Sequence, residues 1–349
     1  MKEELTNSSP LLTVVVPTYN RSSRLKNSLN NYLLCDRSDI EFIVIDNASQ
    51  DDTPEVINEF LDRDTRIRYI RNPVNIGANR SIFRAFLEAR SSLIMILPDD
   101  DSYTPGFIGL VVNAFSRHPN VGIVHSYLDM TQRVDAVKTV GNKNIIYKSG
   151  YDAISKIFML SGGITGLAFR KSAIDFQLWK LDDSIYPQIN ISCNTALKCD
   201  VCVVASESEY VEVGGIEDTV LQRSHSRPDD YGIIERINIL DNICQQLPQK
   251  EGFKLFHHQM HGLLGWGVTR LNDLYDLDKL AGEKFLYSLF QDSRVRSNPF
   301  FIILLLKSRR FRIIYYFPVL LFSNSFWSSS RFYISKLWKR ILPINVMTA

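Results

Sequence analysis

Ser91–Tyr103 reads SSLIMILPDDDSY, and its two halves demand opposite surroundings. Leu93–Leu97 is an unbroken apolar run of five, a length that suits a strand buried on both faces better than a helix. Three consecutive carboxylates follow. Asp99, Asp100 and Asp101 repel one another and cannot stay unpaired inside a sheet, which places them on the loop leaving the strand's carboxyl end. Open α/β sheets bind ligands at that edge. Hard oxygen ligands there suit Mg²⁺ or Mn²⁺ held against a diphosphate, because these ions take one or two carboxylates and fill their shell from phosphates and water. The plainer alternative is an acidic turn capping the helix that starts after Pro105.

Outward from that run, Leu11–Val16 (LLTVVV) is a β-branched stretch closed by Pro17, and Leu25, Leu29 and Leu33 recur every fourth residue behind it. The chain therefore opens as strand, turn, helix. Glu41–Asp46 (EFIVID) reads as a second strand ending in a carboxylate, and Thr53-Pro54 as the N-cap and first residue of a helix to about Leu61. Arg66–Arg71 alternates as a short third strand, and a helix from about Arg80 to Arg90 leads back to the run at Leu93. Pro105 starts a helix to about Arg117, and Val121–His125 is a fifth strand. This alternation predicts an α/β fold with a doubly wound, mostly parallel sheet flanked by helices. Farther on, Asp129–Gly150 is polar and reads as loop or hairpin, and Tyr151–Leu160 as a short helix. Gly162, Gly163 and Gly166 punctuate a small strand in SGGITGLAFRKS, Asp200–Ala205 is a further strand, and Tyr231–Gln246 an amphipathic helix. The expected division is 1–130, 131–245 and a helical C-terminal region over 246–349.

With 349 residues and 45% apolar composition the chain can bury a large core. Its five cysteines are odd in number, and Cys199 and Cys202 form one CxxC with neither a second pair nor a His partner, which points to reduced cytosolic thiols rather than zinc. The opening MKEELTNSSPLL carries acids and has no long apolar core, so no signal peptide is expected. The formal net charge of +2 conceals an asymmetry: from Arg294 onward lie 10 basic residues and no acid, leaving 30 of the 40 basic residues against all 38 acids before it. Within that tail PFFIILLL, KSRRFR and IIYYFPVLLF alternate apolar and basic blocks, none reaching the roughly 20 apolar residues of a membrane span. The blocks suit an element lying on an anionic membrane surface, or a helical pair packed on the core with a basic outer face. They are too apolar for a solvated arm on nucleic acid.

Four loops should converge at the carboxyl edge of the parallel strands: PTYNR (17–21), DNASQD (46–51), the stretch 72–80, and 98–103. Together they offer an aromatic ring (Tyr19), a carboxylate able to accept from a base N–H (Asp46), amides and a guanidinium (Asn75, Asn79, Arg80), and the acids. A nucleoside diphosphate would use each of these. No GxGxxG follows the first strand and no GxxxxGK[ST] occurs, which argues against a dinucleotide dehydrogenase or a P-loop NTPase.

The sequences VVVPTYNR, VIDNASQDDT, NPVNIGANR and LPDDD closely resemble the family 2 glycosyltransferases over about residues 11–130. That resemblance implies a Rossmann-like GT-A fold and an inverting transfer from a nucleotide-diphosphate sugar; with the basic tail, the expectation is an enzyme at the cytoplasmic membrane face that adds a sugar to a glycan or lipid-linked acceptor. Pro17, Thr18, Tyr19 and Asp46 would hold base and ribose, with Asn20, Asn47, Asn75, Asn79, Arg80 and Asp99 in the same loops. Asp99–Asp101 would be the DXD region for Mn²⁺ or Mg²⁺, with Asp100 the foremost ligand because Pro98 stands where the commoner D-x-D-D form has its first acid. Many members open a helix with a Glu-Asp pair; Asp182-Asp183 stands here, and Asp183 or Asp182 is the expected base, surface acids being the alternative. Inversion in one displacement needs such a base. A sugar nucleotidyltransferase or a non-catalytic nucleotide-sugar-binding scaffold remain as other readings.

Overall fold

The computed structural model describes residues 9–126, 143–180, 186–206, 208–209, 211–212, 232–277, 279–296 and 298. Asp182, Asp183, most of 129–150 and the tail beyond 298 lie outside them. The chain divides into two compact units, 1–217 with 238–256, and 218–237 with 257–349.

The first unit is built on an eight-stranded sheet. Its strands, in chain order, are β1 Leu12–Thr18, β2 Ile40–Asp46, β3 Ile67–Arg71, β4 Leu93–Ile96, β6 Val121–Ser126, β7 Lys143–Tyr147, β8 Ala168–Arg170 and β9 Asp200–Ala205; they lie in the order β3-β2-β1-β4-β8-β6-β9-β7. β5 Ser102–Tyr103 pairs separately with β10 Val211–Glu212. The apolar runs fail to alternate because the central strands are covered on both sides. Val14, Val16, Phe42, Val44 and Met95 share one buried cluster with Leu25, Leu29, Tyr32 and Phe60 from the helices α1 Ser22–Tyr32 and α2 Thr53–Leu61. The alternate residues Val15, Ile43, Ile45 and Ile94 are buried as well. Phe86, on α3 Ala78–Glu88, meets Phe169 edge-on at 6.0 Å.

The expected α/β sheet is present, with a refinement. β3, β2, β1 and β4 are parallel, as are β6 and β9, whereas β8 runs antiparallel to both β4 and β6, and β7 antiparallel to β9. The inserted β8 follows the glycine-rich turn: Gly166 sits at φ +70, donates its N–H to Ile96 O at 2.9 Å, and turns the chain back along β4. The N-cap of α2 is Asp52 rather than Thr53, and Asp51 accepts from the Thr53 N–H and hydroxyl. Residues 143–147, inside the stretch read as loop or hairpin, form the edge strand β7.

The described residues of the second unit are helical and include much of Gln249–Leu277, then Lys279–Gln291 and Ser293–Arg296. Leu263, Leu264, Leu271, Phe285 and Leu289 are buried there, and Arg236 stacks over Trp266. No helix of the described residues is long and apolar enough to cross a membrane.

Candidate functional site

The strand order reverses between β1 and β4, the crevice where doubly wound sheets hold ligands. Pro17 lies past the last β1 residue paired with β4, so its missing N–H leaves no rung of that ladder open. The next residue, Thr18, closes the crevice: its hydroxyl donates to Asp99 Oδ2 at 2.7 Å. Asp99 is 3% exposed, and burial pushes its carboxyl above the ordinary range, opposed by the Thr18 hydroxyl and Arg21.

Helix α1 clamps the acid loop along one face, at positions three and four apart. The Ser28 hydroxyl donates to Asp99 O at 2.9 Å, and Tyr32 to Pro98 O. Asn31 brackets Tyr103, accepting from its N–H at 2.9 Å and donating to its carbonyl at 3.1 Å. The side chains of Asp99 and Asp100 then meet at one guanidinium while Asp101 turns away. Arg21 Nη1 reaches both Asp99 Oδ1 (3.2 Å) and Asp100 Oδ2 (3.0 Å), Arg24 Nη1 lies 3.4 Å from the same Asp100 oxygen, and Asp101 accepts from Thr165 at 2.5 Å. Asp99 and Asp101 are buried and Asp100 is half-buried, so Asp100 is the acid most open to a ligand.

The second and third loops are locked by amides. Asn47 accepts from Asn72 Nδ2 (2.9 Å) and the Ile76 N–H (3.0 Å) and donates to Asn75 Oδ1 at 2.8 Å. Asn20 takes the Gln50 N–H at 2.7 Å with its side chain while its own N–H donates to Ser49 Oγ. Asn20 (φ +52) and Ala48 (φ +67) are the non-glycine residues with positive φ among those described, and both lie in this edge. Such backbone costs of order 1–3 kcal/mol and concentrates at functional loops. Tyr19, 42% exposed, presents its ring to solvent beside them.

Asp46, the carboxylate expected to accept from a base N–H, is the last residue of β2 and lies inside the turn that follows. It is 0% exposed, accepts from the Ser49 N–H and the Tyr69 hydroxyl, each at 2.8 Å, and has Arg71 Nε at 3.4 Å. Its side chain organises the turn. Asn79 is joined to a distant segment: its Oδ1 accepts from the Trp179 indole at 2.8 Å. Arg80 lies exposed in the first turn of α3. The residues not singled out in the sequence are Arg21, Arg24, Tyr69, Arg71, Thr165 and Trp179. Only Arg21 carried a usable signal, as the last residue of PTYNR.

A doubly wound sheet with its switch-point crevice between β1 and β4 is the architecture of a GT-A-type fold. Residues 13–175 match the model of "Glycosyl transferase family 2". Among curated relatives, the chain is 30% identical over 119 residues to the GalNAc(5)-diNAcBac-PP-undecaprenol beta-1,3-glucosyltransferase of Campylobacter jejuni, covering 34% of this chain and 37% of that protein. It is 27% identical over 200 residues to the abequosyltransferase RfbV of Salmonella typhimurium, covering 52% and 60%. The chain thus spans less than two thirds of either relative. In fold it is similar to S. aureus TarS 1-349 solved in complex with UDP-GlcNAc, at TM-score 0.54 and 14% identity over 82% of this chain and 83% of that one.

Proposed function

We propose that this protein is an inverting, metal-assisted glycosyltransferase that moves a sugar from a nucleoside-diphosphate sugar to a hydroxyl of a lipid-linked or cell-surface polysaccharide acceptor. The observation that carries the reading is the Thr18–Asp99–Arg21–Asp100 constellation at the switch point of a family 2 domain. The lipid-linked acceptor is supported by the relative whose name specifies an undecaprenol-diphosphate glycan, and a hexosyl or deoxyhexosyl donor by the two relatives' names.

The exposed Tyr19 ring supplies a face for the base, and Asn20 and Asn47 hold the turns around it in a shape set before the donor arrives. Pro17 and Thr18 set the floor of the crevice, Asp46 stiffens its wall through Ser49, Tyr69 and Arg71, and Asn75, Asn79 and Arg80 line the diphosphate side. Among the described residues no three His, Cys, Asp or Glu side chains meet as a closed metal site. Two neighbouring carboxylates, Asp99 and Asp100, nonetheless fit a small divalent ion that completes its shell from phosphate oxygens, with Asp101 turned aside to Thr165. Mn²⁺ or Mg²⁺ held there would neutralise charge on the departing diphosphate. Asp183, or Asp182, takes the proton of the acceptor hydroxyl. The 10-cation tail from Arg294 holds the enzyme on the anionic cytoplasmic face of the membrane, where such acceptors lie.

Thermal shift with UDP, GDP, CDP and dTDP sugars, with and without Mn²⁺, tests the donor site, because a ligand bound to the native state stabilises it by mass action. One base class is expected to raise the melting temperature, more so with Mn²⁺. A flat response to all four would refute the reading.

A further inference from the structure

Two basic residues stand where a helix least favours them. Arg21 immediately precedes α1 and Arg24 lies in its first turn, at the positive end of the helix dipole, and no acidic residue of that turn offsets them. The helix instead borrows Asp51 from the neighbouring loop, which accepts from the Ser22 N–H at 2.9 Å. The two guanidiniums are held by the acid loop: Arg21 bridges Asp99 and Asp100 at 3.2 and 3.0 Å, and Arg24 adds a 3.4 Å contact to Asp100. Thr18 occupies the other oxygen of Asp99. One cation between two successive carboxylates is the arrangement a small divalent ion would take, and the guanidinium's positive charge opposes such an ion at those oxygens.

We propose that Arg21 is a positioning residue that keeps the Asp99–Asp100 pair closed to free metal and yields it only to metal arriving with the donor diphosphate. The inference rests on the reading of this edge as the donor site. Metal alone would place its charge against the guanidiniums of Arg21 and Arg24 and weaken their carboxylate contacts, and in return would gain only two protein anions. When a diphosphate is present, the displaced guanidiniums regain charge-assisted partners in its oxygens, which match their forked geometry, while the ion gains phosphate ligands. Arg24, in the first turn of α1, touches the same Asp100 oxygen and is suited to follow the transfer. The device couples metal to substrate and leaves no ion bound in the resting protein.

Mn²⁺ binding to the full chain, read from the electron paramagnetic resonance of the free ion, tests this in the wild type, Arg21→Gln and Arg21→Lys. Each is measured alone and with whichever of UDP, GDP, CDP or dTDP raises the melting temperature. Without nucleotide, Arg21→Gln is expected to bind Mn²⁺ at least tenfold more tightly than the wild type, and Arg21→Lys to remain near the wild type. The diphosphate should tighten Mn²⁺ binding far more in the wild type than in Arg21→Gln. Equal nucleotide-free affinities, or equal enhancement in both proteins, would overturn the proposal while leaving the donor site standing. If the diphosphate binds but no protein takes up Mn²⁺ beside it, the metal reading fails and the proposal with it; if no diphosphate binds, the donor-site reading itself has failed.

Discussion

Replacing Asp46 by Ala should cost stability rather than direct nucleotide contact. The carboxylate is fully buried and accepts two hydrogen bonds of 2.8 Å, from the Ser49 N–H and the Tyr69 hydroxyl. Ser49 is buried, so its N–H would be left unsatisfied, while Tyr69 is half-buried and can turn its hydroxyl towards water. At about 1–3 kcal/mol for each buried donor orphaned, with Tyr69 at the low end, the loss comes to about 2–4 kcal/mol. The half-exposed Arg71 adds little, since an ion pair open to solvent is weak. For a unit of this size that lowers the melting temperature by roughly 5–15 °C. Asp46→Asn keeps one acceptor and should lose less than half as much. Differential scanning calorimetry supplies the stability change, and titration with the free nucleoside diphosphate, well below the melting temperature, supplies the affinity. A variant that melts like the wild type yet no longer binds nucleotide would refute the assignment of Asp46 to the turn and place its carboxylate on the base.

Three further outcomes are expected. Gly122→Ala puts a methyl 2.5 Å from Cys199 Cβ inside β6, so overpacking should destabilise by about 1–3 kcal/mol in urea unfolding; an unchanged midpoint would mean that the Cys199 turn yields freely. Trp179→Phe keeps ring contacts with Phe86 and Phe83 but removes the indole donor to Asn79, and should raise the donor KM without weakening binding of the nucleoside alone; an unchanged KM would detach Asn79 from the diphosphate. Deleting residues from 298 onward should release the protein from anionic vesicles and reduce turnover of a lipid-linked acceptor more than of a soluble one. Each Lys or Arg near such a surface contributes about 1 kcal/mol, and part of the binding should weaken in salt. A truncated chain that instead loses donor binding and melts early would place the tail against the folded core.

The parallel half of the sheet was legible because burial on both faces leaves a mark that no other element makes: LTVVVPT, IEFIVID and LIMI carry apolar residues at odd and even positions alike. The acids after β4 were legible for the converse reason, since three carboxylates have no place inside such a strand. β8 was noticed as a small strand, but its direction was not readable, because three residues behind a glycine turn carry no information about which neighbour they will pair with. β7, edge-on and only partly covered, lacks the apolar run that marks the interior strands. In the site, motif positions identified the loops but not the orientation of each side chain. Asp46 faces inward because Tyr69, on the adjacent strand β3, offers it a hydroxyl, and Asp101 turns aside because Thr165 arrives from 64 residues away. Those partners are tertiary and leave no local trace. Arg21 looked like a loop residue, and only its bridge to Asp99 and Asp100 distinguishes it from a solvated arginine.

Acceptor-dependent release of nucleoside diphosphate is the most direct measurement of what the crevice between β1 and β4 does. The full chain is incubated with the sugar nucleotide that stabilises it, Mn²⁺ and an undecaprenyl-diphosphate-linked oligosaccharide, and both the freed nucleoside diphosphate and the glycosylated lipid are quantified. Transfer is expected to yield one of each per turnover and to fall by at least a hundredfold in Asp100→Ala. Binding of the donor with no release beyond its slow hydrolysis, whichever lipid-linked or polysaccharide acceptor is added, would contradict catalysis and leave a sugar-nucleotide-binding protein.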